Sequence, residues 1–260
     1  PIQFLTILGD TIGGFTKHQK WLNVKEFVEK RGQKIDQFAL QFIKSIVKAK
    51  LHNQKHILRK NGIKSDLMKE LIMSLKTIND IDVIRGKEGA GSAEYFKHYR
   101  LLVDPFPFDK REYYPPVGPV NAMLSLGYTL IYNRVCESLI SHGFYPYEGL
   151  YHEGKGNHKA LASDLMEPFR FISERIILHL IHTNQISDDD FTEIKTSSGK
   201  CTRIHGDGFR KYINRFEWMM NQEIKVKGKN INYYSLLDES VKSLYKSIVL
   251  GIQYNPFFLN

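Results

Sequence analysis

Between residues 35 and 49 the chain repeats apolar side chains at the spacing of one helix face. Ile35, Phe38, Phe42, Ile46 and Ala49 follow the i, i+3, i+4, i+7 rule, with Ala39 and Ile43 beside them. Strand side chains alternate with period 2, so a period of 3.6 commits this stretch to a helix with a buried face. The opposite face reads as basic, with Lys44, Lys48, Lys50, Lys55, Arg59 and Lys60. Such a face either keeps a helix solvated or meets phosphates.

Further helices are expected along the rest of the chain. One runs from Ser65, a good N-cap, to about Lys76. "NDIDVIRGKEGAGSAEYFKHYRLL" follows, helical despite its glycines, and then "YYPPVGPVNAMLSLGYTLIYNRVCESLISHG", opened by prolines and closed by Gly143. One helix is expected from about Lys159 to His182, and two more over about 208–222 and 233–252. "PIQFLTILGDTIGGF" reads as two short strands around Gly9 and Asp10, and "SSGKCTRIHGDG" as a short extended excursion. The expected fold class is therefore mainly α, with a small β appendage at the start.

The 260 residues suit one large domain or two small ones, and 42% hydrophobic content can build a core. Cys136 falls within a helical pattern and Cys201 lies far along the chain, so neither a disulfide framework nor a zinc site is indicated. No apolar run reaches the length of a bilayer and no signal peptide is recognisable, so a reducing cytoplasm is the expected compartment. The net charge of +9 points to a polyanionic partner.

The densest chemistry lies in "GLYHEGKGNHKALASDLMEPFR", residues 149–170. Asp164 and Glu167 are three apart, so a helix turns both to one face, and His152 precedes them in a Gly-rich loop. Two carboxylates and an imidazole can hold a divalent cation. The same residues can equally be solvated acids and a loop histidine. Glu88 in "IRGKEGAGSAEYF" is the best third carboxylate. Gly86, Gly89 and Gly91 cost that helix about 1 kcal/mol each against alanine, so they imply close packing or the approach of a nucleic-acid backbone. Arg85, three residues before Glu88, is placed either to contact a phosphate or to pair with Glu88 on a plain helix surface.

The blocks "IRGKEGAGSAEYF", "PPVGPVNAMLSLGYTLIYN", "GFYPYEGLYHEGKGNHKALASDLMEPFR" and "VKSLYKSIVLGIQYNPFF" stand in the order and spacing of one family. From about residue 20 onward the chain resembles the CRISPR-associated protein one family, the integrases and endonucleases of CRISPR adaptation. The resemblance implies a helical catalytic domain over residues 21–260 with one Mg2+ or Mn2+ site. It implies Glu88, His152 and Glu167 as metal ligands, Asp164 as their support and Arg85 as a contact to phosphate. Asn121 and Tyr128 match the family pattern as structural or outer residues of the site. The implied activity is insertion of new spacers, a 3′-OH attacking a phosphodiester of the repeat, with DNA cleavage as a related reaction. The implied partners are DNA, a second copy of the chain and the small ferredoxin-like CRISPR-associated protein two; some relatives are fused to or associated with a reverse transcriptase.

The chain departs from the family in two places. Relatives begin with a β domain, of which residues 1–20 look like a last hairpin, and Gly118 stands where many carry an acid. The tail "YNPFFLN" is expected either to dock the partner subunit or to fold onto its own core. The competing functional readings are a transposon-type or branched-DNA nuclease and a non-catalytic DNA-binding scaffold.

Overall fold

A computed structural model describes residues 2–5, 11–15 and 21–260. The first two strands, β1 (Ile2–Leu5) and β2 (Thr11–Phe15), pair antiparallel with Ile2 opposite Phe15. The Gly9–Asp10 turn expected between them lies outside the described residues. Helices α1 (Val24–Lys30), α2 (Ile35–Lys60), α3 (Asp66–Ser74), α4 (Ile81–Tyr99) and α5 (Pro119–Ser141) follow. Next come α6 (Ala160–Met166), α7 (Phe171–His182), the hairpin β3–β4 (Phe191–Thr196, Gly199–Ile204) and α8 (Gly206–Asn221). A second hairpin, β5–β6 (Glu223–Val226, Lys229–Asn232), leads into α9 (Tyr233–Leu250). The fold is mainly α, as the periodicity predicts.

Two helices organise it. The stripe of α2 is buried at Phe38, Ala39, Phe42, Ile43, Ile46 and Ala49, and α2 packs on α1, α3, α4, α6 and α7. The apolar α5 packs on α6, α7, α9 and strand β4. Gly118 precedes α5 with φ +83°, a conformation that L side chains rarely adopt, which accounts for glycine there. Ser65 caps α3 as expected, its hydroxyl accepting from the Met68 amide at 3.3 Å.

Several expectations need correction. Lys50 is not on a basic outer face of α2: its side chain is 11% exposed and turns inward to two acids. The 159–182 helix is interrupted by a 3₁₀ turn, Glu167–Phe169, because Pro168 has no amide hydrogen to continue the α ladder. Sequence patterns mark only the second half of β3–β4 as extended and leave β5–β6 unassigned. The signal for β5–β6 is the alternation in "EIKVKGKNIN" around Lys227–Gly228, both with positive φ.

The tail folds onto its own chain. Tyr254 and Leu259 are buried, and the Phe257 ring packs against Phe169, Phe171 and Tyr233. Asn53 donates to the Phe257 carbonyl at 3.1 Å and accepts from the Leu259 amide at 2.8 Å. Tyr254, Pro256 and Leu259 are thus spent on the core, while Phe257 and Phe258 stay half-buried. No helix of the described residues is long and apolar enough to cross a membrane.

Candidate functional site

A cleft of about 1370 Å³ opens between α2, α4, α5 and the loop before α6. Eight Lys or Arg side chains line it against four Asp or Glu, so its field favours a polyanion. Every acid and histidine singled out in the sequence reaches this cleft or supports a residue that does.

Asp164 is fully buried, which rules out the reading as a solvated surface acid. Its carboxylate accepts from the amides of Leu150 at 2.7 Å, Tyr151 at 3.1 Å and His152 at 2.9 Å. It also meets His152 Nδ1 at 2.7 Å. A carboxylate only accepts, so Nδ1 carries the hydrogen and fixes the ring. Nε2 is left facing Glu167 Oε1 at 3.8 Å. Asp164 therefore shapes the loop and orients the histidine. Arg85 ties the same loop from α4: it donates to the Tyr151 carbonyl at 2.8 Å, and its guanidinium lies 5.4 Å from the Tyr151 ring centre. Its acidic partner is Asp82, at 3.3 Å, and not Glu88.

Glu88 and Glu167 converge on one atom. The Lys50 ammonium forms ion pairs with Glu88 Oε1 and, at 2.7 Å, with Glu167 Oε2. Ser92 donates to Glu88 at 2.9 Å, and Arg170 donates to Glu167 Oε1 at 2.7 Å. Burial pulls Lys50 toward its neutral form, but Glu167 and Glu88 reverse this and raise its pKa above the ordinary lysine value. Burial alone would raise the Glu167 pKa; Arg170, Lys50 and His152 together hold it well below the usual carboxylate range.

Behind this centre lies a second buried acid. Glu174 is fully buried and accepts from the hydroxyls of Tyr128 at 2.8 Å and Tyr95 at 3.0 Å. Gln54 donates to it at 3.4 Å, and Tyr99 to its carbonyl at 2.8 Å. Burial raises its pKa, and these hydrogen bonds only partly oppose the shift. The Tyr128 ring also lies 4.4 Å beneath the Arg170 guanidinium, so it connects the two acids. Asn121 serves the scaffold instead. It accepts from Arg111 and the Glu112 amide, each at 3.0 Å, and knots the loop before α5.

A divalent ion is implied by the family resemblance, and the donor set can be tested against it. Among the described residues, no three His, Cys, Asp or Glu side chains form a ready cation cage. Even so, one acid from α4 and one from the 3₁₀ turn meet the same ammonium, and His152 Nε2 stands 3.8 Å from the other oxygen of Glu167. The buried Glu167 Oε2 has the Lys50 ammonium, at 2.7 Å, as its polar partner and no other among the described residues. An imidazole backed by a carboxylate is also the usual support for a metal-binding histidine. The residues fit the ion.

Lys50, Arg170, Tyr128 and Glu174 are what sequence reasoning missed or underplayed. Helical arithmetic would have found Lys50. Positions 46, 50, 53, 54 and 57 share one face of α2, and four of them are the buried Ile46, Asn53, Gln54 and Ile57.

Fold and site together define a helical protein with an acid–histidine–lysine centre at the floor of a basic cleft. The chain belongs to the family described as CRISPR associated protein Cas1, whose model matches residues 1–218. It is 30% identical over 224 residues to the CRISPR-associated endonuclease Cas1 3 of Thermus thermophilus, covering 84% of this chain and 66% of that relative's length. Among solved structures it superposes on a chain of a partial Cas6-RT-Cas1–Cas2 complex with a TM-score of 0.80 at 26% identity, covering 96% of this chain and 78% of that one. A casposase bound to integration product gives 0.79 at 21% identity, covering 98% and 73%; that likeness shows the fold alone.

Proposed function

We propose that this chain is the catalytic part of a divalent-metal-dependent DNA integrase and endonuclease of CRISPR adaptation. The observation that carries the reading is the convergence of Glu88 and Glu167 on one cation position, with His152 Nε2 3.8 Å from Glu167, on the floor of a basic cleft. Glu88, His152 and Glu167 would hold Mg2+ or Mn2+. When bound, the ion supplies Lewis-acid activation of the scissile phosphate and lowers the pKa of the attacking hydroxyl.

The chain's own residues supply the rest. Asp164, with all its hydrogen bonds directed to the His152 loop, keeps the imidazole aimed. Arg170 and Arg85 stand at the cleft to offset negative charge on the transferring phosphoryl group. The remaining lysines and arginines hold sugar–phosphate backbones, positioning DNA without reading its sequence. In strand transfer a 3′ oxygen forms a bond to phosphorus as another ester P–O bond breaks, so no nucleotide triphosphate is consumed. With water as nucleophile, the same centre cleaves DNA, as the endonuclease names of relatives suggest.

The partners follow the same reading: DNA, a second copy of the chain, and the small ferredoxin-like CRISPR-associated protein two, with a reverse transcriptase fused or associated. The likeness of this chain to chains solved within Cas6-RT-Cas1–Cas2 complexes supports it. Residues 21–260 form the catalytic helical domain, and the β1–β2 hairpin belongs to a separate N-terminal β element.

The test is transfer of a labelled duplex with 3′-OH ends into a repeat-bearing plasmid with Mn2+ and the small partner subunit. Glu88→Ala and His152→Ala should each lose more than about 100-fold in product while keeping salt-sensitive DNA binding. Transfer near the wild-type rate in either variant would overturn the assignment.

A further inference from the structure

A lysine between the two acids that resemble metal ligands has a consequence for how the site fills. We propose that Lys50 is an internal counter-ion, holding the cation position between Glu88 and Glu167 and withdrawing when a divalent ion enters. The inference rests on the metal-site reading above. An ammonium and a dication cannot share one pocket between the same two oxygens, because their charges repel.

The arrangement suits exchange rather than permanent locking. Glu167 is held in place by Arg170 through its other oxygen, at 2.7 Å, and Glu88 by Ser92 at 2.9 Å. Both acids therefore keep their positions when the ammonium leaves. Glu167 Oε2 meets the Lys50 ammonium at 2.7 Å and has no other hydrogen-bond partner among the described residues, so it is freed for the next cation when Lys50 leaves. Lys50 is a point charge on a flexible four-carbon stem, and the cleft it lines gives the stem room to swing. In the metal-free chain it keeps the buried Glu167 and the half-buried Glu88 from facing each other unscreened. Binding of the ion and seating of Lys50 are thus coupled, and the coupling works in both directions. Lys50 is a positioning residue here, acting on the ligands and not on substrate.

The experiment is calorimetric titration of the full chain with MnCl2, for wild type, Lys50→Met and Lys50→Arg, each first checked for a cooperative melting transition. Removing the charge while keeping the bulk should tighten Mn2+ binding about tenfold or more, within the usual range of coupling energies. Lys50→Arg, which keeps a cation there, should remain near wild type. A purely structural lysine would instead make both variants bind more weakly. Binding by wild type with no gain in Lys50→Met overturns the role of Lys50 and leaves the metal site standing. Heat from Lys50→Met alone supports the proposal, and binding by neither overturns the metal site as well. Should Lys50→Met fail to fold, lysine acetylation of wild type read by mass spectrometry gives the answer. Lys50 should become more reactive with Mn2+ present; unchanged reactivity overturns the proposal.

Discussion

Glu167 and Glu174 are the same residue type, seven positions apart and almost equally buried, at 3% and 0% exposure, yet their surroundings shift their pKa values in opposite directions. Glu167 faces two cations, Lys50 and Arg170, and its pKa is held far down. Glu174 faces tyrosine hydroxyls and a glutamine, and its pKa is raised. Burial is common to both, so burial does not decide the outcome. Partners do. A carboxylate paired with cations stays ionised and available to a metal, whereas one ringed by neutral donors drifts toward its neutral form and serves as a knot between helices. Glu174 joins α2, α4 and α5 through Gln54, Tyr95 and Tyr128, so the scaffold of the cleft is assembled around it.

The largest expected difference comes from neutralising each acid in turn. Glu167→Gln should cost strand transfer more than about 100-fold. It should also cost about 3 kcal/mol in urea unfolding, because the half-buried Arg170 and the inward-turned Lys50 both lose their carboxylate. Glu174→Gln keeps the shape and most donors, so it should lose about 1 kcal/mol, one hydrogen bond's worth. Its transfer activity should stay within about tenfold of wild type, since no atom of Glu174 faces the cation position. An equal loss of activity in both variants would end the distinction between a site acid and a scaffold acid.

The pH dependence should separate them with opposite signs. Glu167 has a depressed folded pKa, so its contribution is present above the unfolded carboxyl value of about 4.3 and is lost as pH falls toward the folded value. Glu174 has a raised folded pKa, so its contribution is complete below about 4.3 and is lost as pH rises through the folded value. Urea unfolding across this window should show wild type losing its advantage over Glu167→Gln as pH drops below about 4.3. Against Glu174→Gln, wild type should lose ground as pH rises above it. Parallel slopes in the two comparisons would mean that the two carboxyls share one charge state.

How much of this was legible in the chain follows from the kind of information each feature carries. The α2 stripe was readable because apolar periodicity is local: six of its seven residues are buried and Ile35 is half-buried, while Val47, Leu51, Ile57 and Leu58 are buried beyond it. Glu88, His152, Asp164 and Glu167 were readable as a set only through the ordered blocks of the family, since spacing alone left surface acids equally open. Asp164 as support for His152 follows from that resemblance, and four contacts from loop and histidine give it a physical basis. Lys50 was misplaced because a lysine among other lysines reads as surface, although its neighbours at helical spacing are buried. The Glu174 knot joins residues 54, 95, 128 and 174, separations that no local pattern reports. The break at Pro168 was open to the rule that a proline inside a helical pattern ends or kinks the helix, which a single helix over 159–182 leaves out of account.

The smallest expected effect concerns α4, the helix that supplies Glu88 to one acid centre and Tyr95 to the other. Its glycines looked alike in sequence and are not alike in space. A Cβ on Gly91 would stand 2.5 Å from Leu51 Cδ2 in the core, so Gly91→Ala should cost about 1–3 kcal/mol by overpacking. A Cβ on Gly89 meets nothing within 4 Å, so Gly89→Ala should stabilise the chain by about 0.5–1 kcal/mol through the entropy of the unfolded helix. Duplex binding measured on the same Gly89→Ala protein then places the DNA. Unchanged affinity means the backbone stays on the cleft side of α4, with Glu88. Weakened affinity despite the gain in stability means a phosphodiester backbone passes within a methyl group of the helix, and that glycine is kept there for close approach.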